Sequence, residues 1–210
     1  MENFAQLVYS LDQTTKTNKK IDLLVSFFSN ASNSDKLWCI ALFSGRRPKR
    51  LISTKYLRQW ACEETDLPTW LLEDTYSVVG DLAETISLLT QEKNQISTKS
   101  LTSWISELRQ LENEGLEEKR DFVTNAWSTL NRQERFVFNK LITGGFRLGV
   151  SQKLTIRALS KVTKIDQFEL SLRLMGNWHP DTISWSSLII NDERKSDISR
   201  PYPFCLAYGL

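Results

Sequence analysis

Residues 42–50 of this 210-residue chain read LFSGRRPKR, which crowds Arg46, Arg47, Lys49 and Arg50 around a turn-forming Gly-x-x-Pro. Four like charges at one chain reversal repel one another, so the cluster suits a polyanion that would compensate them. Phosphate is the matching chemistry, because each Lys or Arg that meets a phosphate releases counterions and adds affinity that ignores sequence. A second stretch, residues 143–153, reads TGGFRLGVSQK and sets Gly144, Gly145 and Gly149 ahead of Ser151. A glycine-bearing turn running into a Ser-capped helix leaves main-chain N–H groups unpaired, with the positive end of the helix dipole behind them. Anions seat readily at such a place, Arg147 and Lys153 would add full charges, and the glycines allow a close backbone approach.

Each stretch also has a plainer reading. A basic run is commonly solvated surface, and a Gly-Gly turn can simply join two helices. Two features shift the weight: Pro48 fixes the first cluster on an ordered loop, and the acid-free span from Lys36 to Cys62 covers 27 residues with seven basic side chains. Residues 63–92 then carry eight acidic side chains and no Lys or Arg, and residues 135–165 are again purely basic. The net charge of +2 conceals this alternation. A fold that united the two basic blocks would give a nearly neutral molecule one strongly positive face.

Other chemistries find little support. Cys39, Cys62 and Cys205 are odd in number and lack C-x-x-C spacing, and His179 is the single histidine, so neither a disulfide framework nor a zinc site is suggested. The glycine stretch is neither a P-loop, for want of G-x-x-x-x-G-K-[ST], nor a dinucleotide-binding turn, since no strand precedes it. Glu63-Glu64 and Glu73-Asp74 could in principle hold Mg²⁺, but such runs are usually exposed helix faces. No catalytic residue and no metal site is assigned. The seven tryptophans could stack on bases, yet most fall on apolar helix faces and read as core. No apolar run is long enough to span a bilayer and Met1-Glu2-Asn3 begins no signal sequence, so a reduced, cytoplasmic protein is expected.

The elements that must hold these stretches are helical. Apolar residues recur at three- and four-residue spacing, with almost no sustained alternation, which predicts an all-α fold of about ten to twelve helices and no significant sheet. Phe4, Leu7, Val8 and Leu11 mark a first helix, and Ile21, Leu24, Val25 and Phe28 a second, fraying into a polar loop at 29–34. Asp35 is expected to cap a third, through Phe43, ended by Gly45. Further helices are expected from Ser53, over 69–78 until Gly80, over 82–89 with Asp81 as cap, and over 101–111, 118–130 and 132–142. Residues 90–99 read as a loop. Ser151 would cap a helix to about Val162 and Asp166 another to about Met175. The pattern weakens after Gly176, predicting a helical domain over 1–178 and an arm or linker over 179–210. The apolar ending AYGL suggests a larger protein cut at a domain boundary.

Four blocks, FSGRRPKR (43–50), LPTWLLEDTY (67–76), VGDLAETI (79–86) and FNKLITGGFRLGVS (138–151), together resemble the N-terminal DNA-binding domain of ATP-dependent DNA ligases of the larger bacterial and archaeo-eukaryotic type. They stand in the family's order and span nearly the whole chain, up to the RPYPF approach to a next domain. The resemblance implies an all-helical domain lying across the minor groove of nicked duplex DNA and holding backbone phosphates on both sides of the break. The contacts it implies are the turn Val79, Gly80, Asp81 and the segment Thr143, Gly144, Gly145, Arg147, Gly149, Val150, Ser151, Lys153. Gly45, Arg46, Arg47, Lys49 and Arg50 join them on their charge as much as on the likeness. It also implies a nucleotidyltransferase domain and an OB-fold domain elsewhere in the protein, roles in replication, repair or recombination, a place at the bacterial nucleoid, and no membrane partner. The family's adenylated lysine lies in K-x-D-G, whereas the four K-x-D tripeptides of this chain, at Lys20, Lys119, Lys164 and Lys195, all lack the glycine. ATP and Mg²⁺ are therefore expected with the missing part, no cofactor is expected in this chain, and the chain alone is expected to be inactive. A helical scaffold for an acidic protein partner, and an RNA-binding helical domain, are the alternative readings.

Overall fold

The computed structural model describes residues 1–91, 97–146 and 148–191, and among them it shows eleven α-helices and no strand. In chain order the helices are α1 Glu2–Asp12, α2 Thr17–Asn30, α3 Asn33–Phe43, α4 Thr54–Thr65, α5 Thr69–Val79, α6 Leu82–Leu89, α7 Leu101–Gln110, α8 Leu116–Thr129, α9 Arg132–Thr143, α10 Gln152–Thr163 and α11 Gln167–Met175. A single 3-10 turn follows α7 at Leu111–Asn113, and a π-helical turn covers Ser186–Ile190. The helices form two compact units, each assembled from two separate lengths of chain.

The first unit comprises Met1–Gln13 and Gly45–Leu148. Helix α9 is its axis, packed most extensively against α6 and next against α1. Its apolar positions Val137, Phe138, Leu141 and Ile142 recur at helical spacing and are buried, each burial contributing about 1.5–3 kcal/mol. Phe4, Leu7, Val8 and Leu11 of α1 are all buried, as their i, i+3, i+4, i+7 spacing requires. Trp104, Phe122 and Phe138 form an aromatic cluster with ring centroids 5.5–5.9 Å apart. The start of α9 is fixed by a capping box, in which Asn131 Oδ1 accepts from Glu134 N–H and Glu134 Oε2 accepts from Asn131 N–H.

The second unit comprises Thr14–Ser44 and the chain from Gly149 onward. Here α2 buries Ile21, Leu24, Phe27 and Phe28, and its main neighbour is α10, which buries Ile156, Ala158 and Leu159. Trp38 of α3 meets the edge of the His179 ring at 5.5 Å, and the Lys36 ammonium lies over Trp185 at 5.2 Å. Residues 179–191, the described part of the expected arm, belong to this packing: Trp185, Leu188 and Ile189 are buried, and Arg173 of α11 donates to the Ile189 carbonyl. The rest of that arm lies outside the described residues.

Three local expectations are corrected. Helix α3 is capped by Ser32 rather than Asp35: Ser32 Oγ accepts from Asp35 N–H at 3.2 Å, which leaves Asp35 in the first turn, where its charge favours the helix dipole. The loop expected at 29–34 shrinks accordingly, since α2 runs through Asn30 and α3 starts at Asn33. Helix α8 begins at Leu116 instead of 118, because Gly115 serves as its N-cap and Glu117 and Glu118 fall in the first turn. Of the tryptophans six are buried, while Trp70 on α5 is 69% exposed.

Candidate nucleic-acid interface

Within the first unit, three of the stretches singled out by sequence meet at the C-terminal end of α9. Residues 45–50 begin with Gly45, whose φ of 79° turns the chain out of α3 in a conformation that favours glycine. Pro48 and Ile52 are buried and anchor the loop, whereas Arg47, Lys49 and Arg50 are exposed and Arg46 is partly so. Arg50 Nη2 donates to the Thr143 carbonyl at 2.5 Å, tying the loop to the last turn of α9. The Arg47 guanidinium lies across the glycine turn: a Cβ on Gly144 or Gly145 would stand 4.0 or 3.8 Å from its Nη1. Gly145 is exposed beside that guanidinium, while the Gly144 N–H closes α9 by donating to the Lys140 carbonyl at 3.1 Å.

The Val79–Asp81 turn reaches the same end of α9 by another route. Gly80 closes α5 with φ 78° and its N–H donates to the Tyr76 carbonyl at 2.8 Å. Asp81 then starts α6, accepting from Glu84 N–H at 3.1 Å, and its other carboxylate oxygen pairs with the Lys140 ammonium in the last turn of α9. A buried chain of hydrogen bonds holds the two helices in register: Trp127 Nε1 donates to Asn139 Oδ1 at 2.8 Å, and Asn139 Nδ2 donates to the Ala83 carbonyl at 3.3 Å. Because its polar groups are buried, this chain fixes the rotation of α9 against α6 and α8.

Lys49 is not open in the same way as Arg47. Its ammonium lies 2.6 Å from Glu112, and the hydrogen bond and charge of Lys49 hold the Glu112 carboxyl below the ordinary carboxylate range. Both side chains are largely exposed, so the pair is weak and readily exchanged for another anion.

Gly149, Val150, Ser151 and Lys153 belong to the second unit and are described separately. Ser151 caps α10, its Oγ accepting from Leu154 N–H at 3.3 Å, and Lys153 is exposed in the first turn. Gly149 has φ 60°, and a Cβ there would come within 2.9 Å of the Lys20 ammonium. Lys20 is 92% buried, its relative exposure being 8%, so α2 places a positive charge directly against this turn. Arg147 lies outside the described residues.

The sequence reading missed Lys140, Asn139 and Lys20. Lys140 stands in the basic block but was not tied to Asp81, and a helix-period count could have placed it one turn from the glycines. Nothing local points to Lys20, whose partner turn is more than a hundred residues away. Among the described residues no group of three His, Cys, Asp or Glu could hold a metal ion, and no helix is long and apolar enough to cross a membrane.

A search of curated proteins found no match. A comparison with family models matches residues 1–160 to the DNA ligase N terminus. The match takes in α1 through most of α10 and with them the loop 45–50, the turn 79–81 and the glycine segment; the chain belongs to the DNA ligase N-terminal family.

Proposed function

We propose that this chain is the module with which an ATP-dependent DNA ligase grips nicked duplex DNA, across the minor groove and without regard to sequence. The observation that carries the reading is the meeting at the end of α9, where Arg47 lies on Gly144-Gly145, Arg50 holds Thr143, and the Asp81–Lys140 pair holds the Val79-Gly80 turn. A guanidinium seats phosphate oxygens and an exposed glycine turn lets a phosphate approach the backbone closely, and here the two lie side by side. Arg46, Arg47, Lys49 and Arg50 supply charge, while Gly80, Gly145 and the Thr143-Gly144 backbone supply the close approach. Asp81 acts by position, because its carboxylate is engaged by the α6 cap and by Lys140. In the second unit, Gly149, Val150, Ser151 and Lys153 at the start of α10, with Lys20 behind them, form a further phosphate seat, and Arg147 adds to the charge of the segment.

Bond formation belongs to other domains of such a ligase, a nucleotidyltransferase domain carrying K-x-D-G and an OB-fold domain. ATP and Mg²⁺ would be held there. The K-x-D tripeptides of this chain lack the glycine, and its own residues bind and orient DNA. The cellular setting is the nucleoid, in replication, repair or recombination.

Fluorescence anisotropy with a nicked duplex tests this. With four to six phosphates neutralised, log K should fall against log salt with a slope of about −4 to −5. Arg46→Glu/Arg47→Glu should weaken binding at least tenfold without loss of helicity. A helical scaffold for an acidic protein would leave the duplex unbound, and an RNA-binding domain would prefer an A-form competitor; either result overturns the reading.

A further inference from the structure

Helix α10 carries a basic stripe that extends well past the turn at its start. At about 100° per residue, Lys153, Arg157 and Lys161 fall within an arc of about 80°, and Lys164 follows as the C-cap. Lys153, Lys161 and Lys164 are exposed and Arg157 is partly exposed, while Thr155, Ile156, Ala158 and Leu159 turn to the core.

Helix stability accounts for only half of this pattern. Lys161 and Lys164 sit near the C-terminus, where positive charge favours the dipole. Lys153 and Arg157 sit in the N-terminal half, where it does not, and the first turn holds no acidic residue to offset them. The neighbouring carboxylates leave the stripe positive. Asp22 of α2 meets Lys161 at 3.3 Å, with both side chains more than half exposed, and Asp166 is occupied as the cap of α11. Lys19, three residues before Asp22 on α2, adds another exposed positive charge on the edge that borders the stripe.

We propose that α10 is a second phosphate track: its stripe lies along the sugar-phosphate backbone of one strand of the duplex, beyond the phosphate seated at the turn that starts this helix. The inference rests on the DNA-binding reading above and adds an area of contact to it. At about 1.5 Å per residue, Lys153 to Lys164 spans about 16 Å, which matches the axial length of about five phosphates of one strand. Such a track lengthens the footprint and steepens the salt dependence while adding no base preference.

The test uses the full chain carrying Arg157→Gln/Lys161→Gln/Lys164→Gln, which leaves every turn residue and Lys153 in place. Anisotropy with a nicked duplex between about 50 and 200 mM salt should show a slope shallower by about 2 to 3 and an affinity loss of at least tenfold at the lower salt. Helicity and melting temperature should be unchanged, and Arg157→Lys/Lys161→Arg/Lys164→Arg should bind as the wild type does. A glutamine variant that keeps the wild-type slope, while Arg46→Glu/Arg47→Glu loses binding, overturns the track and leaves the DNA reading intact. If the unaltered chain retains a polyglutamate peptide and no duplex, both fall.

Discussion

Asn139 is the residue on which the orientation of α9 turns, and its replacement by Ala offers a quantitative check. The side chain is fully buried, and so nearly is Trp127, which donates to it. Asn139→Ala removes two hydrogen bonds and leaves the Trp127 N–H and the Ala83 carbonyl buried without those partners. The orphaned Trp127 N–H costs about 1–3 kcal/mol, while the Ala83 carbonyl, inside α6, keeps its helical partner, so that losing the Asn139 bond costs about 1 kcal/mol. The Ala83 contact, at 3.3 Å, is near the long end of useful geometry, so its loss falls at the lower end. The expected destabilisation is about 2–4 kcal/mol, or a melting temperature lower by about 5–15 °C for a chain of this size. Circular dichroism on heating and in urea measures it. An Asn139→Ala protein within about 0.5 kcal/mol of the wild type would refute the argument that this chain sets α9 against α6.

Glu112→Gln removes the carboxylate that competes for Lys49 and should raise duplex affinity, and Lys49→Gln should make the salt slope shallower by about 0.9; a Lys49→Gln slope equal to that of the wild type in anisotropy titrations would show that Lys49 stays off the DNA. Gly149→Ala should destabilise the protein by about 1–2 kcal/mol, because the residue sits at positive φ, and Gly149→Asn by less; urea denaturation decides, and an Ala variant as stable as the wild type would contradict it. Burial, and then the charge of Asp35, push the Cys39 thiol well above the usual thiol range. Cys39 should therefore resist alkylation in mildly alkaline buffer while the partly exposed Cys62 reacts, as mass spectrometry of the labelled peptides would show. The sign of the linkage follows: the contribution of buried Cys39 is fully present below the ordinary thiol range and is lost as pH rises through and above it.

Much of the fold was legible because α1, α2, α9 and α10 advertise themselves by periodicity and by caps such as Asp81 and Ser151. What escaped was long-range. Each unit joins two separate lengths of chain, in the second unit across more than a hundred intervening residues, and no spacing rule reports that α2 lies against α10. The same holds at the candidate site. Types and local turns marked Arg47, Gly80 and Gly145, but the contact of Arg47 with the glycines and the pairing of Asp81 with Lys140 depend on how α6 and α9 pack. Trp70 shows the converse limit, since an apolar residue on a helical pattern reads as core unless the neighbour that should cover it is known to be missing. The Ser32 cap was missed because Asp35 is also a capping type, and only the hydrogen bond decides between them.

The central claim is that the ends of α9, α5 and the loop after α3 together seat DNA phosphates, and backbone amide shifts on titration with a nicked duplex address it residue by residue. The account predicts that the amides of Arg46, Arg47, Gly80, Thr143, Gly144 and Gly145 move together along one binding curve that weakens with salt. Shifts confined to other helices, with these six unmoved at saturation, would contradict it.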